Sequence, residues 1–256
     1  MLDGLFQQAL LSSQRRQESI STSDLERKIE NLSTPIDVYS ALAPAEHIKL
    51  IAEIKRASPS RGRLAEIPDA GEQALRYQNA GAHAISVLTE ETGFLGSLND
   101  LEAASGAVSI PLLRKDFIST EYQVMEARAA GADFVLLILS WLSAERYSQL
   151  SDFAHELGLG VLTETHALEE IAIANDFGAT LLGINTRNLI DFKTDIGLFE
   201  QMASALHPDA IKVAESSVKT AADVIRYRNA GADVALVGEA LVTGTPETLI
   251  PAFISI

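Results

Sequence analysis

Cysteine is absent from the 256-residue chain, which excludes disulfide bonds, thiolate nucleophiles and cysteine-based metal sites. No apolar run reaches the ~18 residues of a membrane-spanning helix, so no membrane partner is expected. Basic residues are also scarce: 20 Lys and Arg stand against 35 Asp and Glu, a formal net charge of −15. A phosphate backbone demands a basic face, so no nucleic-acid partner is expected. A small anionic ligand remains compatible, because a few local cations and backbone amides suffice for it. The opening residues, Met1-Leu-Asp-Gly-Leu-Phe6, lack the basic segment of a secretory signal. The five histidines are scattered with no metal-ligand spacing, so metal catalysis is not expected. A cytoplasmic enzyme is the simplest fit, and the length suits one α/β barrel of about 250 residues.

The first 47 residues stand outside the rhythm of the rest. Leu2, Leu5, Phe6, Ala9 and Leu10 form one apolar helical stripe. Ser23-Asp-Leu-Glu-Arg-Lys-Ile29 reads as a second short helix opened by a capping serine, and Val38–Leu42 as a third apolar turn that stops before Pro44. From Ile48 onward a repeat appears. Gly81, Gly131, Gly178 and Gly231 each lie between a helical pattern and an apolar run, at intervals of 50, 47 and 53 residues. Each interval holds two units of roughly 25 residues, the size of a strand–loop–helix module.

Eight strands are expected, at 48–54, 83–88, 110–114, 133–139, 159–163, 181–185, 210–214 and 234–238. Helices are expected near 70–80, 98–107, 120–130, 143–157, 167–177, 196–206, 219–230 and 246–253. Strands that are apolar throughout, such as Phe134–Leu139, suit a parallel sheet buried on both faces. No Gly-x-Gly-x-x-Gly follows a strand, which weakens a dinucleotide-binding alternative. The expected fold is an α/β (β/α)8 TIM barrel, a single domain over 1–256 with a helical N-terminal extension over 1–47.

Active sites of such barrels lie at the C-terminal strand ends. Those ends carry Glu53 and Lys55, Arg114 and Lys115, Glu164, Asn185 and Arg187, Glu215 and Ser216, and Gly238. Any one of them is as readily a surface ion pair. Their concentration on odd-numbered strands, which share side-chain layers, argues instead for convergence. Neighbouring buried lysines and carboxylates exchange protons with a substrate. The small-residue turns Ser216-Ser217 and Gly238-Glu239 suit a barrel phosphate site, where Glu239 would offer only its amide. His166, close to Glu164, reads as a packing or capping residue. The residues thus describe a metal-free acid–base enzyme acting on a small phosphorylated molecule.

One family matches these residues closely. Glu53-Ile-Lys-Arg-Ala-Ser-Pro-Ser-Arg-Gly62 resembles the first-strand signature of indole-3-glycerol phosphate synthases. Ser86-Val-Leu-Thr-Glu90, Gly96-Ser-Leu98, Pro111-Leu-Leu-Arg-Lys-Asp-Phe117, Gly183-Ile-Asn-Thr-Arg-Asn-Leu189, Ala214-Glu-Ser216 and Leu236-Val-Gly-Glu-Ala-Leu241 are similar to that family in its order. The resemblance implies conversion of 1-(2-carboxyphenylamino)-1-deoxyribulose 5-phosphate to indole-3-glycerol phosphate, without a cofactor, in tryptophan biosynthesis. It makes Lys115 the general acid on the substrate ketone, and gives later proton transfers to Glu164, Glu53 and Lys55. Asn185 and Glu215 would position hydroxyls and lysines, and Arg187 would hold the anthranilate carboxylate. Lys55, Ser58, Ser216 or Ser217, and the Gly238 and Glu239 amides would bind phosphate, with Pro59 shaping the loop. Phe94, Phe117, Leu136 and Leu189 would line the pocket for the aromatic ring, where plain core packing is the bland alternative.

The chain departs from the family pattern at Ser217, where glycine is usual, at Thr163 and Thr165 around Glu164, and at Thr186. A serine at a left-handed backbone position carries strain. The alternatives are a phosphoribosylanthranilate isomerase-like barrel, disfavoured by the missing cysteine, and a non-catalytic phosphoribosyl-ligand binder. A monomer or weak homodimer is expected.

Overall fold

Eight strands close a parallel barrel in the computed structural model, which describes residues 2–188 and 193–256. They are β1 (Lys49–Ile54), β2 (Ala84–Leu88), β3 (Leu112–Lys115), β4 (Phe134–Ile138), β5 (Gly160–Thr165), β6 (Leu181–Asn185), β7 (Ile211–Glu215) and β8 (Val234–Val237). Each pairs in parallel with its sequence neighbour, and β1 closes the ring against β8, with Lys49 opposite Val234 and Ala52 opposite Val237. The expected (β/α)8 architecture is therefore present. The four repeat glycines all adopt positive φ, between 69° and 104°, the conformation that lets a helix end and a strand begin within two residues.

Strand ends differ from expectation in one useful respect. β3, β5 and β7 run one or two residues further than the apolar patterns suggest. Lys115, Glu164 and Glu215 consequently sit on paired backbone, not in loops, which fixes their Cα positions. The helix expected over 196–206 is shorter, Gly197–Met202 followed by a 3-10 turn at Ala203–Ala205.

Strand alternation divides the core in two. Leu50, Ala52 and Ile54 of β1, with Val135 and Leu137 of β4, face the surrounding helices. Ile51, Leu113, Phe134, Leu136, Leu162, Val213 and Leu236 fill the barrel interior. Every mouth group is thereby placed two residues beyond an interior apolar residue: Glu53 after Ile51, Lys115 after Leu113, Glu164 after Leu162, Glu215 after Val213.

The N-terminal segment touches both ends of the barrel. In α1 (Leu2–Gln17), the Phe6 ring lies 4.5 Å from Phe117 at the mouth and stacks at 4.0 Å on Trp141. Arg16 clamps this helix, with Nε 2.5 Å from Glu126 and Nη1 2.6 Å from Glu91. At the opposite end, Val38 and Leu42 join Phe134, Leu181 and Ile211 beneath the barrel. Gly160 is required there, since a Cβ on it would meet Val38 Cγ1 at 2.4 Å. Between these ends, α2 (Thr22–Glu30) starts earlier than expected. Its cap is Ser21, closed into a capping box by Asp24, because Asp24 three residues on can reach back to the Ser21 backbone.

Candidate active site

Five side chains from four alternate strands, Lys55 just past the end of its own, meet at the barrel mouth. Lys115 Nζ donates to Glu164 Oε2 and to Glu215 Oε2, both at 3.0 Å. Lys55 Nζ lies 2.5 Å from Glu53 Oε1, so the same-face pair expected on β1 forms directly. Glu53, Glu164 and Glu215 are all almost fully buried. Their burial is tolerable because each has one oxygen on a lysine.

Two glycines make room for this arrangement. A Cβ at Gly183 would lie 2.2 Å from Glu215 Oε1, and one at Gly238 would lie 2.2 Å from Glu53 Oε1 and 2.9 Å from Lys55 Nζ. The carboxylates fold back onto bare backbone on the neighbouring strand or just past its end.

The electrostatics separate the two carboxyls beside Lys115. Burial pushes Glu164 up, but Lys115, then His166 and Asn185, outweigh it and hold this carboxyl well below the usual range. For Glu215, burial wins over the pull of Lys115 and is reinforced by the charge of Glu164, raising it to about 8. Burial would lower the Lys115 ammonium, yet Glu164, Glu215 and Glu53 together hold it above the ordinary lysine range. Two carboxyls sharing one cation titrate as a pair, and here the proton favours Glu215 near neutrality.

A stability consequence follows. A carboxyl raised from about 4.5 to about 8 binds its proton more tightly when folded. Its contribution is complete below the unfolded value and is lost as pH rises through the folded one. Denaturant unfolding between pH 5 and 8 should therefore show a steeper loss of stability in the wild type than in Glu215→Gln. Equal slopes would contradict the protonated assignment.

These groups line one cavity of about 970 Å³. Ser58 and Pro59 border it from the loop after β1, where Ala57–Ser58 pairs antiparallel with Gly62–Arg63. Ser58 Oγ is buried with no hydrogen-bond partner. Asn185 Oδ1 accepts from the Arg187 amide at 3.0 Å and from Ser216 Oγ at 2.9 Å. Arg187 Nη1 donates to Ser60 Oγ at 3.4 Å across the mouth. Gly238 and Glu239 border the same side, and the Glu239 carboxylate turns aside to pair with Arg61 at 2.8 Å. Phe94, Phe117 and Leu136 form the apolar wall, joined by Leu5 of α1. Buried Glu90 shapes the loop that presents Phe94, accepting from the amides of Thr92, Gly93 and Phe94 at 2.6–3.0 Å.

Ser216 and Ser217 both take left-handed backbone, φ 70° and 65°. The strain expected at Ser217 is therefore present, and a hydroxyl network holds it. Ser217 Oγ lies 2.6 Å from Thr186 Oγ1, which also donates to the Glu215 carbonyl at 2.9 Å. Tyr227 OH donates to the Ser216 carbonyl at 3.1 Å. Two departures from the family pattern thus contact each other. Ser217→Gly should leave stability within ~1 kcal/mol, since relief of strain offsets the lost bond. KM for a phosphorylated substrate should be unchanged or lower, and a clear rise in steady-state KM would contradict this.

Arg114 requires a correction. It is fully buried and points away from the mouth, into the helix layer, where it donates to Thr89, to the Gln123 carbonyl and to Asp116. Adjacent residues on a strand leave opposite faces, so only Lys115 reaches the cavity. Leu189 lies outside the described residues. The cavity also includes Arg61 and Lys219, which sequence reasoning passed over. Among the described residues there is no group of three or more side chains placed to hold a metal, and no helix long and apolar enough to cross a membrane.

Comparison with known proteins places the fold first. A thiamine phosphate pyrophosphorylase from Pyrococcus furiosus aligns with a TM-score of 0.60 at 16% identity, covering 80% of this chain and 93% of that one. An N-acetylmannosamine-6-phosphate 2-epimerase from Clostridium perfringens aligns at 0.61 and 15%, covering 83% and 95%. At that identity the likeness is one of fold alone. Sequence relatives are much nearer. A protein of Leifsonia xyli subsp. xyli is 51% identical over 96% of this chain and 94% of its own length, and one of Mycolicibacterium gilvum is 45% identical over 98% and 92%. One of Streptomyces griseus subsp. griseus is 48% identical over 90% and 85%. All three are named indole-3-glycerol phosphate synthase, and the family model of that description matches residues 2–249. The chain belongs to the indole-3-glycerol phosphate synthase family.

Proposed function

We propose that the protein converts 1-(2-carboxyphenylamino)-1-deoxyribulose 5-phosphate to indole-3-glycerol phosphate, releasing carbon dioxide and water, as a carboxy-lyase of tryptophan biosynthesis. The observation that carries this reading is the Lys115 ammonium held at 3.0 Å by two buried carboxyl groups at the edge of an aromatic-walled cavity. Ring closure requires an acid at the ketone oxygen while the aromatic carbon attacks its carbon. An ammonium fixed in a dry site supplies both charge and proton.

In this reading the anthranilate ring lies on Phe94, Phe117 and Leu136, with its carboxylate toward Arg187. Loss of that carboxylate as carbon dioxide restores the ring. Dehydration then needs one group to take a proton and another to protonate the departing hydroxyl. Glu164, ionised, is the base of the set. Lys55, paired to Glu53, and the protonated Glu215 are the acids available for the second transfer. The phosphate lies at the other end, against Lys55, the unpartnered Ser58 hydroxyl, the Ser216-Ser217 loop and the backbone at Gly238-Glu239. The same reading carries a cytoplasmic enzyme working as a monomer or weak homodimer, with no cofactor.

The test is direct. Addition of the carboxyphenylamino substrate to purified protein should produce growing indole fluorescence, with a stoichiometric release of carbon dioxide. No signal from folded wild-type protein would remove the proposal.

A further inference from the structure

His166 stands just outside the cavity and no proton transfer described above uses it. Its imidazole is mostly buried, with Nε2 3.3 Å from Glu164 Oε1 and Nδ1 3.6 Å from Glu170 Oε2. The contact with Glu164 has ion-pair distance without hydrogen-bond geometry, and Nε2 has no other partner among the described residues. Ser140 Oγ, from the loop after β4, lies 3.4 Å from Nδ1. Glu170, from the first turn of α3 (Leu168–Asp176), also accepts from the His166 amide at 2.6 Å, which fixes the residue's backbone. The charged groups facing the ring are thus two carboxylates, one on each side. Glu164 in turn has Lys115 on its second oxygen.

We infer that His166 is a positioning residue for Glu164: as an imidazolium sandwiched between Glu164 and Glu170, it occupies Glu164 Oε1 from behind the pocket wall and leaves Oε2 to Lys115 and the substrate. This rests on the synthase reading of the cavity. The electrostatics agree with the geometry. Burial lowers the imidazole, but Glu164 and Glu170 outweigh it and raise it to about 9. A cation on each oxygen of Glu164 keeps that carboxyl ionised, whereas Glu215 has Lys115 alone and an unpartnered Oε1. The imidazolium accordingly makes the two carboxyls beside Lys115 inequivalent.

Three measurements test this. Imidazole NMR of the wild type should show His166 protonated through pH 8, and a ring already neutral at pH 7 would overturn the inference. In His166→Gln, kcat should fall about tenfold or more while KM stays within about twofold, because the loss is one of orientation at the reacting centre. Wild-type kcat in a folded His166→Gln protein would also overturn it. In Glu170→Gln, one of the two carboxylates that stabilise the imidazolium is gone. The ring should then lose its proton at lower pH, and the alkaline decline of kcat should move down with it. A decline that ignores the imidazole titration would leave His166 a packing residue. Wild-type turnover is the positive control. Its absence would defeat the synthase reading, whereas its presence with an unmoved pH profile defeats only the role of His166.

Discussion

Lys115→Ala should lower kcat about a thousandfold, some 4 kcal/mol of barrier, with a much smaller change in KM. The side chain removed is, among the described residues, the one cation that contacts both Glu164 and Glu215. Its loss takes away the acid at the ketone and leaves two buried carboxyls facing each other. The second consequence gives the prediction a distinct signature. Below about pH 5 the carboxyls can share protons and the fold is little affected. At pH 8 Glu215 must either hold its proton against the solvent or ionise beside Glu164 with no cation of its own, so the variant should be markedly less stable there than the wild type. Single-turnover indole formation checks the first effect, and unfolding midpoints at the two pH values check the second. A Lys115→Ala protein with near wild-type turnover would end the general-acid assignment.

Gly238→Ala should fold and yet lose about a hundredfold in kcat/KM. The new methyl group would sit within 2.2 Å of Glu53 Oε1 and 2.9 Å of Lys55 Nζ, so one or both side chains must move. Gly238 has φ −120°, so it does not occupy the left-handed region that favours glycine. The damage is confined to the position of a salt-bridged pair and to whatever approaches the start of α4 (Glu239–Thr243). Circular dichroism and thermal unfolding close to wild type, with collapsed kcat/KM, is the expected pattern. Full activity would mean that the Glu53–Lys55 pair has slack that the structure does not suggest.

The mouth was legible in the sequence because period-two alternation and the barrel's layers obey simple geometry. Ile51, Leu113, Leu162 and Val213 are interior residues, and a polar residue two positions later on each strand can only point into the same interior, one layer higher. Arg114 was misread for the same reason applied loosely. Grouped with Lys115 as a strand-end charge, it belongs by alternation to the outer face, where Asp116 and Glu126 pair with it. The backbone at Ser217 was legible from a side chain where the family has none.

His166 was not legible as more than a neighbour of Glu164. Its meaning depends on Glu170 returning across the first turn of α3 and on Ser140 arriving from the preceding unit. Neither is encoded in local spacing. The N-terminal helices were legible as elements, and the family resemblance implies a place near the mouth, but the contact of Val38 at the far end was not legible. That Phe6 would reach Phe117 at the mouth while Val38 closes the far end depends on the path of a 47-residue segment around the barrel.

The seam between β1 and β8 has a bearing on how activity is acquired. Glu53 and Lys55 are delivered by the first strand and Gly238 follows the last, and these two pair directly. The Ile48 amide, just before β1, donates to the carbonyl of Ile256 at 2.9 Å. The two halves of the site nearest the proposed phosphate position are therefore separated by about 185 residues of sequence and meet only when the ring shuts. A nearly complete barrel, with helices formed and most strands paired, would scatter light, show full helicity and turn over nothing. Recovery of turnover during refolding is thus a clock for ring closure, running later than any spectroscopic signal of secondary structure.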